Sequence, residues 1–444
     1  MPPLSRRDLG NLVRSLGAAS RPVQQAEALA RIASMCSQSD ADGLVAIAAA
    51  GFIPPLIRLL GASTPTETQY TATTSLMHLA RIGPNAVAIV AAGPVPRLVE
   101  LLGPGCSAQL QEKVVQTLGF LSAYAANAAA IAAAGAIPRL TQLLRPGSSA
   151  HLQGIAAGSL SFLAKNAGVR VTIVAAGAIP LLVHLLGAGN QAGVQRTAAE
   201  ALTVLANSEE NMVTIAAAGA IPPLVQLLGD GSRSNVQPDA AGALANLAAI
   251  EKNAAAIVAA GAIPLLVKLL RTGIKPGLQQ QAAAVVSNLA TYTEHAMSLA
   301  KAGAIPPLVL LLGLGSPDSL QQTAATALTN LAMQAEGAQT ILAAGAVPQL
   351  VQLLGPRSPS CVQYSAAGAL MNLELHDENV ATIAAAGAIP PLVQLIGSST
   401  DAATKAHATH TLKIFGESSA EIKAKIRAAI ASGIAHALQQ TVIS

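Results

Sequence analysis

Tryptophan is absent from this 444-residue chain, and four phenylalanines with four tyrosines bring the aromatics to only 2%. Hydrophobic residues still make up 52%, so alanine, leucine, isoleucine and valine must fill the core, which favours thin, closely packed helices. Charged residues are scarce as well, at 11% against roughly a quarter in a typical soluble domain. The balance of +4 is spread along the chain with no basic run and no interleaved aromatic stripe, so no nucleic-acid partner is expected. The sequence pI near 9.0 reflects a small surplus on a weakly charged chain. Cysteine is limited to Cys36, Cys106 and Cys361, with no CxxC pair. That fits unpaired thiols in a reducing compartment, the cytoplasm by default with the nucleus open.

Long apolar runs are missing too, although the mean hydropathy is +0.50. The stretch Ile257 to Val267 is broken by Gly261 and Pro264, whereas a membrane-spanning helix needs about 20 apolar residues. No integral membrane segment is expected. The N-terminus, Met1-Pro-Pro-Leu-Ser-Arg-Arg, lacks the apolar run of a secretory signal, and Pro2 excludes glycine-2 myristoylation.

What the chain does have is a period. The glycine of Gly219-Ala-Ile-Pro-Pro-Leu-Val-Gln-Leu-Leu-Gly229 recurs at Gly51, Gly93, Gly135, Gly177, Gly261, Gly303, Gly345 and Gly387, always 42 residues on, and a proline follows three positions later in all nine copies. A fixed period in this range marks a solenoid, in which each unit buries its apolar face on its neighbours. Nine repeats are placed at 43–84, 85–126, 127–168, 169–210, 211–252, 253–294, 295–336, 337–378 and 379–420. Residues 1–42 read as a partial capping repeat, because Leu12-Val-Arg-Ser-Leu-Gly17 lines up with Leu224-Val-Gln-Leu-Leu-Gly229. That reading is favoured over an organelle transit peptide. Residues 421–444 read as closing cap helices: a charged helix, then an imitation of another unit around Gly433 with its proline lost.

Each unit resolves into three helices, and the expected class is all-α with no strands. Asparagine precedes the short first helix in five repeats (Asn85, Asn127, Asn211, Asn253, Asn379) and is read as its N-cap. The repeat glycine ends that helix, since glycine takes positive φ freely at C′, and proline opens the second, where its missing N–H costs nothing. The third helix starts near a glutamine present in eight repeats (Gln69 through Gln363, with Lys405 in the ninth) and carries Ala-Leu-x-x-Leu spacing, as at Ala243 to Leu247.

The recurring Asn-x-x-x-Ile-x-x-x-Gly-Ala-Ile-Pro-x-Leu-Val-x-Leu-Leu unit, followed by Ala-Leu-x-Asn-Leu-Ala, resembles the armadillo repeat family, in the style of its plant and algal members. The resemblance covers residues 43–420. It implies a right-handed α-solenoid, the armadillo superhelix, whose third helices line a concave groove. In importin-α and β-catenin relatives that groove binds extended peptides.

Signals for catalysis are poor. The pairs Gly103/Gly105, Gly187/Gly189, Gly229/Gly231 and Gly313/Gly315 all fall where the second helix ends, and none leads into GK[ST], so they read as C-caps rather than phosphate loops. His407 and His410 share a helical face but have no further ligand at suitable spacing. No cofactor, metal or enzymatic activity is expected.

Binding is read from one column of the third helix: His78, Phe120, Phe162, Val204, Asn246, Asn288, Asn330, Asn372, Ile414. With helices about 10 Å apart, four asparagines would recur at about every third residue of an extended peptide, and an amide both donates and accepts. The resemblance implies that Asn246, Asn288, Asn330 and Asn372 clamp a peptide backbone. The alternative is that they bond the neighbouring repeat, since a buried amide must bond something. In peptide-binding relatives a tryptophan one turn earlier walls the side-chain pocket; here that position holds Gly242, Ala284, Thr326 and Gly368. In the amino-terminal half, Phe120, Phe162 and Tyr124 suggest an apolar hot spot, with Thr74, Gln116, Lys113 and Glu200 around it; inter-repeat packing is the alternative.

These features point to a non-catalytic interaction scaffold, a monomer or weak oligomer, that binds a protein or extended peptide in the groove. Two other readings stand: the substrate-recognition array of a ubiquitin-ligase complex, and a structural component of a larger assembly. In the ligase reading catalysis needs a partner, because residues 1–42 are too short for a U-box. A nuclear-import adaptor is disfavoured by the missing tryptophans and the lack of a basic arm.

Overall fold

In the computed structural model, residues 6–17, 21–229, 235–398 and 401–443 are described, with side chains at all of these except 6, 7, 377 and 433–443. Among the described residues there is no strand; a single isolated bridge joins Pro146 and Ser148. The loop at 230–234, which includes Gly231, and the N-terminal segment 1–5 lie outside the described residues, as do the side chains of Gln439 and Gln440.

Each repeat forms the three expected helices. Repeat 4 shows the pattern, with Ala167–Ala175, Ala178–Leu185 and Ala192–Leu205. The corner between the first two is close to a right angle, 82° here and 86° in repeat 6. It turns on Gly177, at φ 74° and ψ 30°, a left-handed conformation that a side chain disfavours. All nine repeat glycines share it, with φ between 74° and 90°. No single described helix is long and apolar enough to cross a membrane, although three bent pairs reach the requirement by length and composition.

The chain divides into two compact units, 1–223 and 224–444, and each is an α-solenoid. In the first, the third helices pack in sequence: Pro22–Gln38 on Thr66–Ala80, then Ala108–Ser122, Ala150–Ala164 and Ala192–Leu205. In the second, Gln237–Leu247, Pro276–Leu289, Asp318–Leu331, Ser360–Leu373 and Ala402–Ser418 do the same. Alanine and leucine form the seams; Ala198, Ala199, Ala201 and Leu202 are all fully buried. Alanine gives up no rotamer freedom when ordered, so a large buried area is reached with few aromatics. Both terminal segments are helical. Arg6–Ser15 and Pro22–Gln38 precede the first repeat, and Ala420–Ile443 packs on the last two helices of the ninth as one helix, with no turn at Gly433.

The third helix is tied to the second by its glutamine. Gln195 Nε2 donates to Leu186 O at 3.1 Å and Gly187 O at 3.0 Å, and Gln321 to Leu312 O and Gly313 O at 3.2 and 2.8 Å. The same fork recurs at Gln69, Gln111, Gln153, Gln237, Gln279 and Gln363. It satisfies carbonyls that the end of a helix leaves without partners. Gln25 does the same for Leu16 O at 3.2 Å, so the partial repeat keeps the device.

The asparagines at the first helix differ from expectation. Asn127 is the third residue of Ala125–Ala133, and its Nδ2 donates to Leu121 O at 3.0 Å, at the end of the preceding third helix. Asn211 and Asn379 repeat this bond to Leu205 O and Leu373 O, and Asn85 bonds Leu44 O. The N-cap position lies three residues earlier, where Asn166 and Ser208 accept from Val169 N and Asn211 N. An amide next to an alanine run serves either end of a helix junction, and sequence spacing alone does not say which.

Candidate functional site

The third helices of repeats 2, 3 and 4 enclose an apolar groove of about 320 Å³ within the first unit. Phe120 and Phe162 line it together with Gln116, Ile155, Val194 and Thr197. Phe120 is 39% exposed, and Phe162 is half-buried with the Lys165 ammonium 4.7 Å from its ring centre. Tyr124 and Glu200 do not line the groove. Tyr124 sits at the N-cap position of the next first helix, its hydroxyl donating to Arg81 O at 3.2 Å and its ring against Gly83. Glu200 accepts from Ser161 Oγ at 3.3 Å and pairs with Arg196 at 3.5 Å. Of the flanking residues named from sequence, Gln116 is a wall and Lys113 Nζ donates to its Oε1 at 3.3 Å.

The positive character of this side is visible at His78, the equivalent of Phe120 one repeat earlier. Partial burial lowers its pKa, and the charges of Arg81 and Lys113 lower it further. Among the described residues, Arg81, Lys113 and Lys165 have no carboxylate partner.

The asparagine column shows a different geometry. Asn288 Nδ2 donates to Ala245 O, Asn330 Nδ2 to Ser287 O and Asn372 Nδ2 to Thr329 O, each at 2.8 Å and each onto the third helix of the preceding repeat. Asn246 is engaged as well. Asn246, Asn288 and Asn330 are half-buried, whereas Asn372 is buried. The neighbour-bonding alternative is therefore the one realised at three of the four positions. Asn288 and Asn372 keep the second N–H and the oxygen for another use, whereas Asn330 Nδ2 also reaches Ser287 Oγ at 3.4 Å.

A companion column makes this legible in retrospect. Three residues before the column lie Ser75, Thr117, Ser159, Ala201, Ala243, Val285, Ala327, Ala369 and Thr411. Hydroxyls stand there only in repeats without the asparagine. Ser159 Oγ donates to Ile155 O of its own helix at 2.8 Å and shares the proton with Val115 O at 3.2 Å across one repeat, and Thr117 Oγ1 divides in the same way between Lys113 O at 2.7 Å and Thr73 O at 3.5 Å. Where the hydroxyl ties the stack, the ladder position is released from that duty, and in repeats 2 and 3 it holds phenylalanine.

Cys36 is fully buried, and burial pushes its thiol up to about 12, so it is no nucleophile at neutral pH. His407 stacks on Tyr364 with centroids 4.7 Å apart. Among the described residues no three His, Cys, Asp or Glu side chains gather as a metal site. Glu374 is 1% exposed with both carboxylate oxygens unbonded; burial raises its pKa to about 8, and Thr411 on the facing helix offsets this only in part.

A solenoid of three-helix units turning on Gly-x-x-Pro corners, with a side-chain-lined third-helix face, defines an armadillo-type repeat scaffold. The model of the plant U-box protein ARM repeat region matches residues 149–427, and the chain belongs to that family. It is also similar to an engineered protein solved by crystallography, at 33% identity and a TM-score of 0.82, over 92% of this chain and 98% of that one. No curated protein matches.

Proposed function

We propose that the chain is a non-catalytic scaffold that holds a segment of another protein against its third-helix face, with the Phe120–Phe162 groove as the anchoring point. The carrying observation is an exposed phenylalanine beside a second aromatic over an apolar hollow. Aromatic side chains in such hollows dominate interface energies, while a buried position would have served packing alone. Asn288, Asn330 and Asn372 support the stack first and offer a partner chiefly their amide oxygens.

A photo-crosslinking amino acid at Gln116, on the groove wall, is expected to trap a partner, and the F120S/F162S double variant is expected to abolish the adduct. The same probe at Thr172, exposed on a first helix, should trap none. Equal trapping from Thr172 would defeat the proposal.

A second reading follows from the matched family, whose name ties these repeats to U-box proteins. In it, the groove holds the substrate of a ubiquitin ligase and a partner supplies the catalysis. Ubiquitylation of a trapped partner that depends on both the chain and a U-box protein would favour it.

A further inference from the structure

The hollow beneath Phe120 and Phe162 exists because two side chains are missing. Gly154 and Gly158 lie four residues apart on one face of the third helix of repeat 3. The matching positions of repeats 2 and 4 carry Glu112 and Arg196, and Gln116 and Glu200. Tight packing does not explain these glycines. A Cβ at Gly154 would come no nearer than 3.6 Å to Val194, and one at Gly158 no nearer than 3.8 Å to Thr197, both ordinary contacts. Neither residue takes a positive φ, so the backbone does not require glycine. Each weakens the helix relative to alanine. What they leave is floor space of about 320 Å³, at the small end for ligand pockets and suited to one bulky side chain.

The charge around the hollow is uneven. Lys113 and Lys165 stand on the two segments that carry Phe120 and Phe162, without carboxylate partners among the described residues. The nearby acids are engaged: Glu200 with Arg196 and Ser161, and Glu112 as acceptor from Ser149 Oγ at 3.4 Å. Glu200 is balanced by Arg196, and Lys113 with Lys165 outnumbers Glu112, which keeps its charge, so the rim carries a net positive charge.

On the reading that this face binds a protein segment, we propose that the hollow receives one phenylalanine or leucine side chain from a peptide with carboxylates on both sides of it, which meet Lys113 and Lys165. Apolar burial supplies the anchor, and charge complementarity supplies selectivity and salt dependence.

The test is fluorescence anisotropy with the labelled peptide Gly-Asp-Glu-Asp-Phe-Asp-Glu-Asp-Gly, compared with versions carrying alanine for its phenylalanine or lysine for its acids. The intact peptide is expected to bind at least tenfold more tightly than either control, and less tightly as salt rises. Filling the hollow with G154L/G158Q is expected to cost at least tenfold in binding while leaving the unfolding midpoint unchanged or raised. Absence of binding, equal binding of the lysine peptide, or undiminished binding by the filled variant would each overturn the proposal. If crosslinking from Gln116 persists in the filled variant, the broader scaffold reading survives and this inference alone falls.

Discussion

Asn330 donates its side-chain amide to Ser287 O, a carbonyl on the preceding third helix, at 2.8 Å. Ser287 O lies in the last turn of Pro276–Leu289, where Thr291 N bonds Asn288 O instead, so the bond gives a helix-end carbonyl its partner and ties one layer to the next. Ser159 reaches across its own interface to Val115 O from three residues earlier in the repeat. The two side chains thus reach the preceding third helix at carbonyls one turn apart, and Ser159 Oγ shares its proton with Ile155 O at 2.8 Å.

Asn330→Ala should therefore lower stability by about 1 kcal/mol, the usual net worth of such a bond. Adding Ala327→Ser, which places a hydroxyl where Ser159 stands in repeat 3, should recover little of the loss, because that hydroxyl faces a carbonyl one turn earlier than Ser287 O. Urea unfolding of both proteins checks this. An unaltered midpoint in Asn330→Ala would mean that the bond is dispensable.

The glutamine fork makes a larger claim. Gln321 serves two carbonyls while only 4% exposed, so Gln321→Ala leaves both without their partner. The expected cost is about 1–3 kcal/mol, with amide exchange rising first at the join between Ile305–Leu311 and Asp318–Leu331. Exchange spread evenly over the chain would argue against a local clamp.

Glu374 predicts a pH dependence. Its folded pKa, about 8, lies above the ordinary 4.5, so the folded state holds a proton that the unfolded state has released. The stabilisation is complete below about pH 4.5 and is lost as pH rises toward 8, at roughly 1.4 kcal/mol per unit. Repeats 4 to 7 carry alanine at this position, at Ala206, Ala248, Ala290 and Ala332. Glu374→Ala should flatten the melting-temperature profile between pH 5 and 8 and raise stability at the upper end. An unchanged slope would place the dependence elsewhere.

The architecture was legible because one glycine and one proline repeat in phase nine times, and a repeated corner leaves little freedom to the helices between. The details that escaped share a cause: a single residue column does not reveal which neighbour it faces. Asn127 has the spacing of a cap for the helix that follows and instead caps the one before. Tyr124 appears beside Phe120 in sequence, but its hydroxyl ties it to Arg81 across the repeat boundary. Gln25 makes one of the two bonds of the eight named glutamines, to Leu16 O, hidden by the loss of the Gly-x-x-Pro turn nearby. Gly154 and Gly158 are silent in the sequence, because an absent side chain leaves no mark until the space around it is seen.

The central claim is that Phe120 and Phe162 face outward for a partner rather than inward for the stack, and the F120S/F162S protein tests it by stability and binding measured together. The account predicts an unfolding midpoint within about 1 kcal/mol of the parent, since surface changes cost little, together with loss of the Gln116 crosslink. A loss of about 3–5 kcal/mol, the range for large core truncations, with crosslinking retained, would contradict it.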